Sequence, residues 1–303
     1  MNHTEDEQFE EFPISYSIDN AILMHRDAHF GGSFDIMLDY YRKNGRGVCQ
    51  DFVIERIEEL AHTEQQTGKN LSPLFLSGAE MEKVARSRMA YKKLKETYED
   101  KSPKYHHRNL IVDLILAEEE ELEGAIEAIV KEKGTIVSSL IEVMNDEESH
   151  DILFPGYGQA PTLAAQCLGR IGDKRAIIAL YEPIGNESIF DEDVLLDALH
   201  TIGTPAREFL LKVLRAKPIT YDNERAAVAL IRFKQDPIVA TTCFQILHEL
   251  DLQKQPSLAT YLALICEGLT SPQERKEFLS FAQDKRTPAA LRQDMLLVAK
   301  EWN

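Results

Sequence analysis

Two histidines, His25 and His29, stand four residues apart, a spacing that places two imidazoles on one face of a helix. Zinc proteases bind their metal with this spacing, and a glutamate directly after the first histidine serves as the general base. In this chain an arginine follows His25, and two glycines come soon after His29. We therefore predict no metal site in this segment and no cofactor for the chain.

The other residues with reactive side chains do not form a known catalytic or metal-binding motif. His106 and His107 are adjacent and would point in different directions on a helix. His248 and Glu249 form a single His-Glu pair, which cannot supply all the ligands of a two-metal site. The chain has no Gly-x-Ser-x-Gly motif, and none of its 4 cysteines belongs to a Cys-x-x-Cys pair. We predict no catalytic residue and favour a function other than catalysis.

The composition is that of an acidic globular protein. The chain of 303 residues has 34 lysines and arginines against 51 aspartates and glutamates, a net charge of −17, and 44% hydrophobic residues. It can form a packed core, but it repels polyanions at long range, which argues against nucleic acid as a partner. The negative charge is compatible with a protein partner, and with a basic one in particular.

Targeting signals and cysteine usage both favour a cytoplasmic location. The acidic N-terminus lacks the basic and apolar regions of a signal peptide. No stretch of 18 apolar residues occurs, so we expect no membrane insertion. Cys167 and Cys243 lie in apolar helical patterns, which is typical of small buried residues in a reducing compartment.

The first third of the chain contains an acidic segment and several helical signals. We predict that residues 1–15 are a disordered acidic tail and that 16–105 form a helical region. Within that region, helices are predicted at 34–42, at about 51–66 and after a capping box formed by Ser77 and Glu80.

The third of these helices carries a basic stretch. Residues 83–95 include six positive charges and no negative one, and we expect them to pair within the protein or to be solvated. Pro103 marks a boundary, after which the pattern predicts one continuous helix at 110–131. A loop at 154–158 is expected to join two repeats of the region that follows.

An internal repeat of 31 residues occupies the middle of the chain. The segments 164–173, 195–204 and 226–235 read AAQCLGRIGD, LLDALHTIGT and AAVALIRFKQ. The matching positions are the small Cys167, Ala198 and Ala229, then Leu168, Leu199 and Leu230, then the large apolar Ile171, Ile202 and Phe233. A second amphipathic helix is predicted after each segment, at 176–184, 205–214 and 237–247. Two helices in 31 residues define a helical-hairpin repeat.

Proline supports this interpretation independently. Thr204, Asp236, Ser271 and Thr287 each precede a proline, and these are residue types that cap helices. Proline fits the first turn of a helix because it has no N–H to leave unsatisfied. The four pairs therefore predict four helix starts.

The segment AAQCLGRIGDKRAIIAL at 164–180 resembles the HEAT-like repeat of the phycobilin-lyase type. The matching residues are Ala164, Ala165, Leu168, Gly169, Ile171, Gly172 and Asp173. The second segment keeps the glycine as Gly203, and the third loses it. The clear resemblance covers about 157–248, fainter helix pairs extend it from about 108 to 303, and residues 1–105 resemble no known family. It implies an all-α fold in which 106–303 form a HEAT-like solenoid, a right-handed α-α superhelix, behind the helical N-terminal region.

Such repeats serve many functions, so the resemblance is specific for the fold and not for the activity. Solvent-facing positions between the core residues are the candidates for a binding groove on the concave surface, which second helices line in this architecture. These candidates are Gln166, Arg170, Asp197, Thr201 and Arg232. We expect a non-enzymatic protein–protein interaction scaffold. The alternative is an enzyme or carrier of the bilin-lyase type, which visible absorbance after incubation with bilin would reveal.

Overall fold

A computed structural model describes residues 17–99, 102, 105–185 and 191–302, and all regular structure in these residues is helical. The described residues pack into two compact units. Of the described residues, the first unit contains those up to Leu122 together with Asp151–Gly158, and the second contains Glu123–His150 and those from Gln159 onward. The acidic tail predicted at 1–15 lies outside the described residues.

Six helices belong to the first unit, and its core lies between them. They are α1 (Ser17–His29), α2 (Phe34–Arg42), α3 (Ile54–Thr67), α4 (Ser72–Phe75), α5 (Gly78–Glu99) and α6 (His106–Leu116). Helix α1 packs against α4 and α5, α2 against α3, and α5 against α6. Ile22, Leu23, Met37, Ile57 and Leu71 are fully buried in the core.

Local signals give the helix starts in this unit. The helix predicted at 34–42 is confirmed as α2, and Ser33 caps it by accepting a hydrogen bond from the Ile36 N–H. The capping box at the start of α5 is also confirmed: the Ser77 N–H donates to Glu80, and the Glu80 N–H donates to the Ser77 hydroxyl. Helix α1 was not predicted, because its buried face includes charged residues that interrupt the apolar pattern.

The continuous helix predicted at 110–131 is wrong, because the chain breaks after α6 and restarts as α7 (Glu119–Lys131). Contacts with Tyr40 of α2 and with Arg46 in the loop after α2 stabilise the break. The Glu118 carboxylate accepts hydrogen bonds from the Tyr40 hydroxyl, at 2.9 Å, and from the Arg46 N–H, at 3.2 Å. The Arg46 guanidinium also donates to the Ile115 carbonyl, one of those left free at the end of α6.

Most of α7 and ten further helices form the second unit. These ten are α8 (Val137–Met144), α9 (Ala160–Ile171), α10 (Ile177–Tyr181), α11 (Glu192–Ile202), α12 (Thr204–Leu214), α13 (Tyr221–Leu230), α14 (Pro237–Glu249), α15 (Pro256–Ile265), α16 (Pro272–Gln283) and α17 (Ala289–Lys300). Each even-numbered helix packs against the odd-numbered helix that follows it, and α9 contacts α11, α13 contacts α15, and α15 contacts α17. The predicted repeat segments begin on α9, α11 and α13, so we call the odd-numbered helices of this unit the first helices and the even-numbered helices that follow them the second helices. None of the helices described here is both long enough and apolar enough to cross a membrane.

The repeat positions have the burial that the sequence predicts. Leu168, Leu199 and Leu230 have no solvent exposure, and the small residues beside them are also buried. Prolines begin α14, α15 and α16, as expected. Of the four predicted caps, Asp236 and Ser271 accept hydrogen bonds from the first turn, whereas Thr204 is itself the first residue of α12. Thr287 instead donates its hydroxyl proton to the Phe281 carbonyl.

Two glycines test how closely the repeats pack. A Cβ atom on Gly169 of α9 would lie 2.6 Å from the Cα of Ala198 in α11, so the two backbones touch there. Gly124 of α7 has open space around its Cβ position. We expect Gly169→Ala to destabilise the second unit by about 1–3 kcal/mol through overpacking. We expect Gly124→Ala to stabilise it by about 0.5–1 kcal/mol, because alanine is the better helix former. Urea denaturation followed by circular dichroism measures both, and a neutral Gly169→Ala would show that the two backbones can separate at little cost.

Candidate functional site

The five predicted binding residues lie at equivalent positions along the first helices. Gln166 and Arg170 belong to α9, Asp197 and Thr201 to α11, and Arg232 to the 3₁₀ turn that ends α13. Gln166 is half-buried and the other four are exposed. We call the surface formed by these five residues and their ion-pair partners the first-helix row.

Ion pairs connect neighbouring helices within this row. The Arg170 guanidinium contacts both carboxylate oxygens of Glu123 in α7, at 2.5 and 3.2 Å. The Arg232 guanidinium contacts Asp193 at 2.6 Å and Asp197 at 3.0 Å, both in α11. Each arginine therefore contacts carboxylates of a neighbouring helix. The acidic partners Glu123 and Asp193 were not among the predicted residues, although Asp193 lies one helical turn before Asp197.

These pairs organise the surface more than they stabilise it. The hydrogen bonds from Arg170 lower the pKa of the Glu123 carboxyl, and the same bonds raise the pKa of Arg170. Both side chains are well exposed, so water and salt screen the attraction. Exposed pairs of this kind add little to the stability of the fold.

The charge of the first-helix row is negative after pairing. Arg170 and Arg232 are the two cations, and both are engaged by carboxylates of the same surface. The carboxylates Glu123, Asp193 and Asp197 outnumber them. A protein surface brought against this row therefore meets excess negative charge next to two fixed guanidinium groups.

The exposed positions of the row alternate with buried ones. Between the exposed positions, Cys167, Leu168, Ala198 and Leu199 are buried and fill the space between helices. Helix α9 packs against α11, and α11 contacts the 3₁₀ turn that carries Arg232, so the row is continuous from α9 to that turn.

A second group of chemically capable residues lies in the first unit, around His25 and His29. Their rings meet edge to face with centroids 4.5 Å apart. His29 Nε2 lies 2.8 Å from the Ile152 carbonyl oxygen, which can only accept, so Nε2 carries the proton. His29 Nδ1 then accepts from the Tyr91 hydroxyl at 2.6 Å. Both nitrogens of His29 are occupied, so neither can bind a metal in this arrangement.

His25 lies deeper and is fully buried. Its ring packs edge to face against Phe30, Tyr41 and Phe52. Neither ring nitrogen has a hydrogen-bonding partner, and the Gly47 backbone interacts with the ring too weakly to count as one. Burial lowers the pKa of His25 to about 3, and repulsion from His29 adds to the effect. Burial likewise lowers the pKa of His29 to about 4.

The loop expected to join two repeats belongs to this cluster. Leu153 and Phe154 are buried in the core of the first unit, and the Tyr157 ring packs against His29 with centroids 4.6 Å apart. The pKa of Tyr157 is raised, first by burial and then by a hydrogen bond with Tyr40. The spacing of His25 and His29 was visible in the sequence, but the tyrosines around them could not be predicted, because they come from segments far apart in the chain.

Among the described residues, no three His, Cys, Asp or Glu side chains are grouped so that they could hold a metal ion. Burial raises the pKa of the Cys167 thiol to about 12, so this cysteine is not an activated nucleophile. No protein-family model matches the chain, and no curated protein is significantly similar to it.

Proposed function

We propose that the protein is a non-enzymatic scaffold of the cytoplasm, built from HEAT-like repeats, that binds a basic protein through the first-helix row. One observation carries the proposal: equivalent positions of neighbouring helices are exposed and polar, while the positions between them are buried. A repeat fold produces such a surface because each helix pair presents the same face as the previous one.

The charges support a basic partner. The carboxylates of the first-helix row outnumber its arginines, and the whole chain carries a net charge of −17. Long-range attraction of this kind speeds encounter with a cation-rich surface and weakens as salt increases. The fixed guanidinium groups would help to set the register of the partner.

Neutralising the acidic positions tests the proposal. We expect Asp193→Asn/Asp197→Asn to weaken partner binding about tenfold, because two carboxylates are lost while side-chain size is kept. The matched control is Glu208→Gln/Glu249→Gln, which neutralises two exposed carboxylates on α12 and α14. The measurement is a pull-down from native lysate at low and high salt, read by mass spectrometry, with affinities then determined for the purified partner.

The outcomes separate the alternatives. A specific partner that is lost at high salt and from the aspartate variant, but kept by the control, supports the proposal. Equal loss from both variants would place binding elsewhere on the acidic surface. No protein partner at either salt, together with visible absorbance after incubation with bilin, would favour a carrier of the bilin-lyase type.

A further inference from the structure

The solvent-facing side of α9, α11 and α13 carries three positions that follow one another at steps of four residues, or about one turn. None of the side chains at these positions is buried. They are Thr162, Gln166 and Arg170 of α9, Asp193, Asp197 and Thr201 of α11, and Glu224, Val228 and Arg232 of α13 and its 3₁₀ turn. We call them the first, second and third positions of each helix, and each position is equivalent along the repeats.

An arginine at the third position pairs with a carboxylate of the preceding first helix. Arg232 contacts Asp193, which lies 39 residues earlier at the first position of α11. Arg170 contacts Glu123 of α7, which lies 47 residues earlier. The difference of eight residues equals the length of Asp151–Gly158, which lies between them in the chain but belongs to the first unit. Both pairs therefore join equivalent positions of neighbouring first helices.

The arginine is absent where the preceding helix offers no carboxylate. Helix α9 has no acidic residue, and its first position is Thr162. The third position of the next first helix is Thr201, whose hydroxyl donates to the Asp197 carbonyl of its own helix at 2.7 Å. From α7 to α13, the arginine and the carboxylate therefore occur together or not at all.

Helix α15 continues the series, because it packs against α13 and against the 3₁₀ turn that carries Arg232. Its buried positions follow those of α13 at a step of 32 residues. The matching pairs are Ala226 and Leu258, Ala227 and Ala259, Leu230 and Leu262, and Phe233 and Ile265. The same step places Leu264 at the third position, whereas Glu224 occupies the first position of α13 as Asp193 does in α11. At this step the carboxylate is present and the arginine is not.

The Glu224 carboxylate has no cationic partner among the residues that the structure describes, and it is half-buried. The adjacent Arg225 donates to the Asp222 carboxylate and to the Ile184 carbonyl. Arg232 is engaged by the two aspartates of α11. The arginines of α13 and its turn therefore leave Glu224 open.

Helix α15 supplies no replacement for the arginine. It has no charged residue, and Leu264 at its third position is 37% exposed. Lys234, the next cation after Arg232 in the chain, pairs with Glu267 at 2.7 Å. A carboxylate on α13 and an apolar side chain on α15 are therefore both accessible at this step.

We propose that an arginine of the basic partner takes the position of the arginine that α15 lacks. Its guanidinium pairs with Glu224, and an apolar side chain next to it in the partner covers Leu264. A guanidinium binds a carboxylate with two parallel hydrogen bonds, as Arg170 binds Glu123. This inference rests on the proposed function, because it extends the first-helix row by one helix and specifies what the partner carries.

Charge and burial favour this occupant over an acidic or a neutral one. A segment without a cation would cover Glu224 and leave its charge unpaired, which costs free energy. Salt screens the half-buried Glu224 less than it screens the exposed Glu123. Covering Leu264 removes apolar surface from water. A basic residue with an apolar neighbour therefore satisfies both groups.

The test uses fluorescently labelled peptides of about fifteen residues, titrated with the full chain and read by anisotropy. In the first peptide, arginine and leucine recur and are separated by serine. In the second, citrulline replaces arginine, so the shape is kept and the charge is lost. In the third, serine replaces leucine. We expect the first peptide to bind at least about tenfold more tightly than either of the others.

Two variants locate the site. Glu224→Gln removes the charge and keeps the size, and we expect it to weaken binding of the first peptide about fivefold. Leu264→Arg supplies the missing arginine from the chain itself, which then occupies Glu224, and we expect it to weaken binding about tenfold. Neither side chain is buried, and thermal melting verifies that both variants fold.

Matched controls make the same changes of charge away from the first-helix row. Glu208→Gln removes an exposed carboxylate of α12, and Gln245→Arg adds a cation at an exposed position of α14. Each is expected to change binding less than about twofold, because salt screens exposed charges beyond about 10 Å.

Several results would overturn the inference. Among them are no binding of the first peptide to the wild-type chain, equal binding of all three peptides, and equal losses in the controls. Binding weakened by Asp193→Asn/Asp197→Asn but unchanged in both Glu224→Gln and Leu264→Arg would reject this extension and still support the proposed function. Self-association of the wild-type chain in sedimentation velocity, abolished by Leu264→Arg, would assign this face to a second copy of the chain.

Discussion

Replacing Arg26 by alanine is expected to lower the free energy of unfolding of the first unit by about 3–5 kcal/mol, because the change empties a buried site and leaves the buried Asp27 carboxylate and Ser72 hydroxyl without their donor. Arg26 has no solvent exposure. Its guanidinium donates to Glu64 at 2.6 Å, to the Ser72 hydroxyl at 2.8 Å and to the Asn70 side chain at 3.1 Å. It also contacts Asp27 at 2.7 Å.

The arginine therefore connects three segments of the first unit. The guanidinium packs over the Phe34 ring, 4.4 Å from its centre, at the start of α2. Glu64 belongs to α3, and Ser72 begins α4. Loss of this one side chain is expected to loosen α1 against α3 and α4 together. Urea denaturation and hydrogen exchange at the amides of these helices measure the effect.

A double-mutant cycle separates the lost charge from the lost packing. Arg26→Met fills part of the space, and Glu64→Gln removes one of the two carboxylates that would be left uncompensated. We expect the double variant to be more stable than the sum of the single changes by at least about 1 kcal/mol. Arg42→Ala is the matched control, because Arg42 is 58% exposed in its ion pair with Glu58 and should cost less than about 1 kcal/mol. Equal losses at positions 26 and 42 would contradict the interpretation.

Acidification from pH 6.5 to pH 4 is expected to destabilise the first unit through His25 and His29. Their pKa values in the folded protein are lowered to about 3 and about 4, below the unfolded value of 6.5. The unfolded chain therefore binds more protons in this range, so the free energy of unfolding falls as the pH falls. Each histidine contributes about 1.4 kcal/mol per pH unit.

The neighbouring groups oppose this effect only in part. Burial is the largest cause of both shifts. The Ile152 carbonyl and the Asp151 carboxylate raise the pKa of His29, and no partner does the same strongly for His25. The effect of His29 is therefore complete near pH 4, whereas that of His25 continues to about pH 3.

The measurement is the urea midpoint of the first unit at several pH values between 7.5 and 4, in wild type and in His25→Leu/His29→Gln. The double variant should lose most of the pH dependence, whatever its stability at pH 7.5. His62→Gln is the control, because His62 is exposed on α3. Acidic residues of the second unit such as Asp173, whose pKa is lowered to about 2 by Arg175, contribute below this range. An unchanged slope in the double variant would show that other groups control acid unfolding.

The burial pattern of the repeats could be predicted from the sequence, but the ion pairs between the repeats could not. The burial of Leu168, Leu199 and Leu230 could be predicted because a 31-residue step places them at the same position of successive helices. The exposure of Arg170 and Arg232 follows from the same step. Their ion pairs could not be predicted, because several carboxylates lie within reach and only the packing of neighbouring helices selects among them.

The burial of Arg26 and His25 could not be predicted from the sequence, for a different reason. A charged residue in a helix is ordinarily solvated, and nothing adjacent to Arg26 in the sequence indicates burial. Its partners Glu64, Asn70 and Ser72 are 38, 44 and 46 residues away. The apolar rings around His25 likewise come from several segments.

By itself, the sequence determined the helical class, several helix starts, the repeat step and the buried positions within the repeats. These follow from interactions within about four residues, such as capping bonds and apolar periodicity, which each segment carries with it. The tertiary structure alone decided the break after α6, the return of Asp151–Gly158 to the first unit, the burial of Arg26 and His25, and the pairing of charges between first helices. Those outcomes depend on groups that are distant in sequence and meet only when the helices pack.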